Sequence, residues 1–141
     1  MNDGIILLKR SEVASLITLK ECITAIENTF KMHAKGNALP PGILGIHARN
    51  GGLHIKAGIL DLGRSYFVAK TNANFPLNPK LNRLLTIQGV AAVSDAENGR
   101  LLALMDSIEI TIPRTGAATA VAAKYVSKKN SKAATIIGCD N

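Results

Sequence analysis

Three features of the sequence predict an α+β fold in which N-terminal helices and a mostly antiparallel open sheet precede a long helix. A capped helical period runs from Thr18 to about Lys35, short apolar runs punctuated by glycine follow Pro40-Pro41-Gly42, and an alanine-rich helical stretch follows Arg114. The 141 residues suffice for one ordinary domain with a hydrophobic core and are too few for two.

The first elements are short. Ile5 to Leu8 reads as a buried strand, and Ser11-Glu12-Val13 as a helix start. Thr18 and Glu21 have the spacing at which hydroxyl and carboxylate satisfy free amides at a helix N-terminus. Ile23, Ile26 and Phe30 then share one helix face, and Gly36-Asn37 supplies the backbone angle that ends the helix.

Ile43 to His47, Leu53 to Leu60 and Tyr66 to Ala73 read as antiparallel strands, with Asn50-Gly51-Gly52 as a turn. Thr86 to Val93 and Leu101 to Met105 form a hairpin closed through Asn98-Gly99. Helical period is expected from Arg114, where Ala117 to Tyr125 supplies small side chains for close packing. Ala133 to Ile137 reads as a parallel strand buried on both faces, ending at Gly138.

Composition excludes several functions. At 47% hydrophobic and 19% charged, the chain is neither disordered nor, lacking an apolar run long enough to span, a helical membrane protein. The net charge of +7 invites nucleic acid, yet only Lys128, Lys129 and Lys132 cluster and aromatic residues make up 4%, so anionic small molecules are the better match. Cys22 and Cys139 lack metal-ligand spacing, and no HExxH or CxxC motif occurs, so no metal is expected. A cytoplasmic setting is the default reading.

Four positively charged or hydroxyl positions carry candidate chemistry. Arg114-Thr115-Gly116-Ala117 is expected at the start of the alanine-rich helix, where guanidinium and free amides together suit a carboxylate or phosphate. An Arg114 paired with Asp106 or Glu109 remains an equal alternative. Lys70, expected near a strand end, is either a partly buried functional ammonium or an edge-strand charge that blocks aggregation. Lys56 alternates in phase with His54, so both point to one face. His33 and His47 have no visible partners and read as structural.

Several segments together resemble the ornithine cyclodeaminase/mu-crystallin family: Lys70-Thr71-Asn72-Ala73-Asn74-Phe75-Pro76, Thr86-Ile87-Gln88-Gly89, Asp95 to Gly99, Ala103 to Asp106, Arg114 to Thr119, Ala122 to Tyr125, and Ile136 to Cys139. They stand in the family's order and spacing along nearly the whole chain. The resemblance implies homodimers whose first domain binds substrate and pairs between subunits, followed by a dinucleotide-binding domain and a returning C-terminal segment. In the cyclodeaminase reaction NAD removes a hydride from ornithine, the side-chain amine attacks the resulting imine, ammonia leaves, and hydride return yields proline.

On that resemblance residues 1–110 would form the substrate-binding and dimerisation domain, 111–132 a connecting helix, and 133–141 the first strand and turn of an incomplete Rossmann domain. Lys70 would sit beside the substrate's alpha carbon as the catalytic cation, with Arg114, Thr86 and Lys56 binding an amino-acid or imino-acid substrate. Thr115, Gly138 and Asn141 would face NAD or NADP. Some positions depart from the family pattern: Arg83-Leu84-Leu85 where Gly-Leu-Pro is usual, Pro113 before Arg114, and Asp140 where a second glycine is common. These departures, and the missing remainder of the dinucleotide fold, imply that the chain alone does not hold the cofactor; a non-catalytic remnant or dimerising binding module is the alternative to the enzyme.

Overall fold

A computed structural model describes residues 4–137. In chain order these form β1 (Ile6–Leu8), α1 (Arg10–Leu16), α2 (Leu19–Ala34), β2 (Gly42–Ala48), β3 (Gly51–Asp61), β4 (Ser65–Asn74), α3 (Asn78–Leu81), β5 (Ile87–Asp95), β6 (Leu101–Asp106) and α4 (Ile108–Val126). The class is α+β, with one six-stranded sheet in the order β1-β6-β5-β4-β3-β2. All neighbours are antiparallel except β1 against β6.

Local chemistry explains the helix limits. Thr18 caps α2 by accepting from the Glu21 amide while Glu21 reaches back to the Thr18 amide, and Gly36 at φ +80° lets the chain leave the helix. Helix α4 begins well before Arg114. The Asp106 carboxylate accepts from the Ile108 amide at 2.8 Å, and Ser107 precedes the first turn. Pro113 therefore lies inside the helix, where it gives up one backbone donor without ending it.

Helix α4 lies over one face of the sheet. Ser107 donates its backbone amide to the Gly89 carbonyl at 3.1 Å and its hydroxyl to Asn72 Oδ1 at 3.1 Å. Gly89 is required there. A Cβ on it would lie 2.5 Å from the Thr71 carbonyl oxygen and 2.6 Å from both Asn72 Oδ1 and Ser107 Oγ. Buried Ala91 and Ala103 on the sheet, with Val13, Ile108, Ala117 and Val121 from the helices, form the core beneath α1 and α4. Helix α2 packs along the outside of α4.

Several expectations change at this level. The segment Ile5 to Leu8 is an edge strand with Ile5, Ile6 and Leu7 exposed, because β1 pairs on one side only. The β2–β3 connection turns at Arg49-Asn50, since Ala48 already pairs with Gly51. Gly51 belongs to the strand, where a Cβ would lie 2.3 Å from the Asn74 carbonyl oxygen. Ala133 to Ile137 forms no strand and pairs with none of the described strands. A parallel strand needs a neighbouring strand to hold its backbone, and this segment has none among the described residues. The expected turn at Gly138 to Asn141 lies outside the described residues.

Leu44, Ile46, Leu53, Val90 and Leu104 lie on the sheet face opposite α4 and remain 37–54% exposed. No described helix is long and apolar enough to cross a membrane.

Candidate functional site

Lys70 lies in the middle of β4, paired with Lys56 of β3 on one side and Ala91 of β5 on the other. Its strand has neighbours on both sides, so the reading of Lys70 as an edge-strand charge falls away. Two ammonium groups placed opposite each other on one sheet face repel, and such a pair is retained against a cost of roughly 0.2–1 kcal/mol. Arg114 on α4 adds a third positive charge near Lys70. Burial first, then Arg114, then Lys56, hold the Lys70 ammonium below the ordinary lysine pKa.

Thr111 positions this ammonium. Its hydroxyl donates to the Ser107 carbonyl at 2.6 Å, which leaves an oxygen lone pair to accept from Lys70 Nζ at 3.3 Å. The sequence reading missed Thr111 because it started α4 at Arg114. With the helix starting at Ile108, Thr111 and Arg114 are three residues apart and share a helix face. The Asp106-Ser107 pair with Glu109 in the first turn was the available signal.

Arg114 is accordingly not at the helix N-terminus, and the free amides expected beside it are absent from its position. Its two proposed partners are also engaged elsewhere. Asp106 accepts from the Ile108 amide, and Glu109 pairs with Arg10 at 2.6 Å. Among the described residues, no carboxylate lies within ion-pair distance of Lys56, Lys70 or Arg114. The three form a positive patch with no counter-ion among the described residues, which suits an anionic ligand.

The remaining candidates are dispersed. Thr86 immediately precedes β5 and its carbonyl accepts from the Phe75 amide at 2.9 Å. The loop leading to it holds Arg83 at φ 54°, a left-handed angle that glycine adopts without strain. The Thr115 hydroxyl donates to the Thr111 carbonyl at 2.8 Å on an exposed part of α4. His54 shares the face of Lys56 and lies opposite Asn72. Gly138 and Asn141 lie outside the described residues.

Thr86 and Thr111 meet at a cavity of about 490 Å³ between α4 and the loop before β5. Leu85, Ile87, Ile108, Ile112, Pro76 and Pro79 line it, with Arg10 as its charged member. Thr111 thus bonds the Lys70 ammonium and also lines this cavity.

The fold is an open, mostly antiparallel sheet whose Lys56 and Lys70, near Arg114 of the helix that follows it, form a positively charged patch. The chain matches the profile of the ornithine cyclodeaminase/mu-crystallin family over residues 5–141 and belongs to that family. It is 34% identical to the alanine dehydrogenase of Archaeoglobus fulgidus over 95% of this chain and 40% of that protein. Among solved structures, an archaeal alanine dehydrogenase dimer with bound NAD superposes with a TM-score of 0.84 at 35% identity, covering 90% of this chain and 38% of that one. The Delta(1)-pyrroline-2-carboxylate reductase of Thermococcus litoralis, in complex with NADH and L-proline, gives a TM-score of 0.80 at 32% identity, covering 91% of this chain and 40% of that one. The chain therefore spans about two-fifths of the length of these relatives.

Proposed function

We propose that this chain is the substrate-binding part of a cytoplasmic, homodimeric, nicotinamide-dependent enzyme acting on a small amino acid or its 2-oxo or 2-imino counterpart. The observation that carries the reading is the convergence of Lys56, Lys70 and Arg114 with no carboxylate among the described residues to neutralise them. A substrate carboxylate supplies the missing charge. Arg114 would grip it through paired N–H donors, while Lys70, aimed by Thr111, would hold the oxygen or nitrogen on the alpha carbon. Lys56 would add long-range attraction from the exposed side.

The dinucleotide supplies or accepts the hydride when bound. Of the residues the resemblance assigns to it, Thr115 lies on α4, and Gly138 and Asn141 lie outside the described residues. Alanine, proline and pyrroline-2-carboxylate, named with the relatives, are monoamino or cyclic imino compounds and support this substrate class. The exposed apolar sheet face bearing Leu44, Ile46 and Leu53 supports pairing with a second copy.

Titration of the chain with pyruvate and with L-proline, followed by NMR, tests the proposal. Saturable shifts at Lys70 and Arg114, lost in Lys70→Met and Arg114→Gln, are expected. Binding of neither compound, or binding unchanged by both substitutions, overturns it.

A further inference from the structure

Beyond the carboxylate, the cavity next to Thr111 bears on which side chain a substrate carries. Lys70 Nζ is 3.3 Å from Thr111 Oγ1, and Thr111 is itself part of the cavity wall. A ligand anchored by its carboxylate at Lys70 therefore has an open cavity of about 490 Å³ one side chain away. That is ample for a branched aliphatic chain.

The wall chemistry narrows the choice. Leu85, Ile87, Ile108 and Ile112 present hydrocarbon, and Thr86 and Thr111 present small hydroxyls. No carboxylate is among the residues that line the cavity, and its one charged member, Arg10, is a cation already paired with Glu109. A second ammonium on the substrate, as in a diamino acid, would enter a cation-bordered space and find no acceptor of opposite charge. A second carboxylate would find Arg10 occupied. An aliphatic side chain instead removes apolar surface from water on both sides.

We propose that the cavity between α4 and the loop before β5 receives the side chain of the substrate, and that it selects 2-oxo or 2-imino acids with branched aliphatic side chains over diamino and dicarboxylic acids. Ile112 and Leu85 are the specificity-determining residues. Both are exposed, at 43% and 48%, whereas Ile108 is buried. This proposal rests on the reading of Lys70 and Arg114 as the carboxylate anchor.

The test compares pyruvate, 4-methyl-2-oxopentanoate, 2-oxoglutarate and L-ornithine as ligands of the 141-residue chain by NMR titration. The branched oxo acid is expected to bind at least about tenfold more tightly than pyruvate, from the burial of its additional carbons. Ile112→Ala and Leu85→Ala should each reduce that ratio about threefold. The shifts induced by the branched acid, absent with pyruvate, should fall on Ile108, Ile112 and Thr86. Equal affinity for pyruvate and the branched acid, or tighter binding of ornithine or 2-oxoglutarate, overturns the proposal and leaves the carboxylate site standing. Binding of none of the four overturns both.

Discussion

Two groups of positive side chains among the described residues, one on the helices and one on the sheet, are built in opposite ways. At the helical side, Glu27 of α2 accepts from Lys31 and Lys124 at 2.7 Å each and from the Tyr125 hydroxyl, tying α2 to α4. At the sheet, Lys56, Lys70 and Arg114 share a face with no acid among the described residues to pair them. The first cluster is closed and its anion is held well below the usual carboxylate range, at about 2. The second is open, and its central ammonium is pushed down by burial and by its neighbours. A fold that neutralises its cations in one place and leaves them without a described acid partner in another marks the second as the place to test for an anion.

The comparison breaks most sharply at Gly89. Gly89→Ala places a methyl group against Thr71, Asn72 and Ser107, and should destabilise the fold by about 1–3 kcal/mol, read by thermal unfolding. The loss should carry Lys70 and Thr111 out of register while leaving the Glu27 cluster intact. A Gly89→Ala chain as stable as the original would show that α4 does not rest on this contact.

Lys70→Met should abolish carboxylate binding, by more than about tenfold in affinity, and raise stability by roughly 0.5 kcal/mol through relief of the repulsion across from Lys56. The sign follows from linkage. A lysine with a lowered folded pKa binds fewer protons folded than unfolded, so its cost is fully present below the folded value and is relieved as pH rises toward 10.5. Stability of the original chain should therefore rise across that alkaline window more than that of Lys70→Met. Loss of stability in Lys70→Met would place Lys70 with the structural cations.

Arg83→Gly should stabilise the chain by about 1 kcal/mol by releasing the left-handed strain before Thr86, measured as an increased Tm. Glu27→Gln should lower the Tm at neutral pH, because Lys31 and Lys124 lose their shared carboxylate. Here the pKa is lowered in the folded state, so the contribution is present above the unfolded value of 4.5 and is lost as pH falls through about 2. The difference between Glu27→Gln and the original should shrink over that acidic interval. A difference independent of pH would mean that packing, not charge, joins α2 to α4.

Much of the sheet was legible from residues alone, because alternation and turn glycines mark strands that pair with their neighbours in sequence. Thr18 and Glu21 likewise announced α2 correctly. The start of α4 was placed at Arg114, where the alanine-rich period begins, and not at Asp106 and Ser107, which precede its first turn. That one error moved Arg114 to a helix end and hid Thr111. The opposition of Lys56 and Lys70 was beyond reach of periodicity, since it depends on register, which the turn between β3 and β4 sets through Gly63 at φ +84°. Alternation fixed the face of Lys56, and only pairing supplied its neighbour.

The two clusters can be read in one experiment. Lysine side-chain NMR during a pyruvate titration reports Lys70 of the open cluster together with Lys31 and Lys124 of the closed one. A ligand carboxylate should move the Lys70 resonance saturably and raise its titration midpoint toward the ordinary lysine range, leaving Lys31 and Lys124 in place. A Lys70 resonance that stays still, or that moves no more than those of Lys31 and Lys124, would contradict the assignment of the open cluster as a carboxylate site.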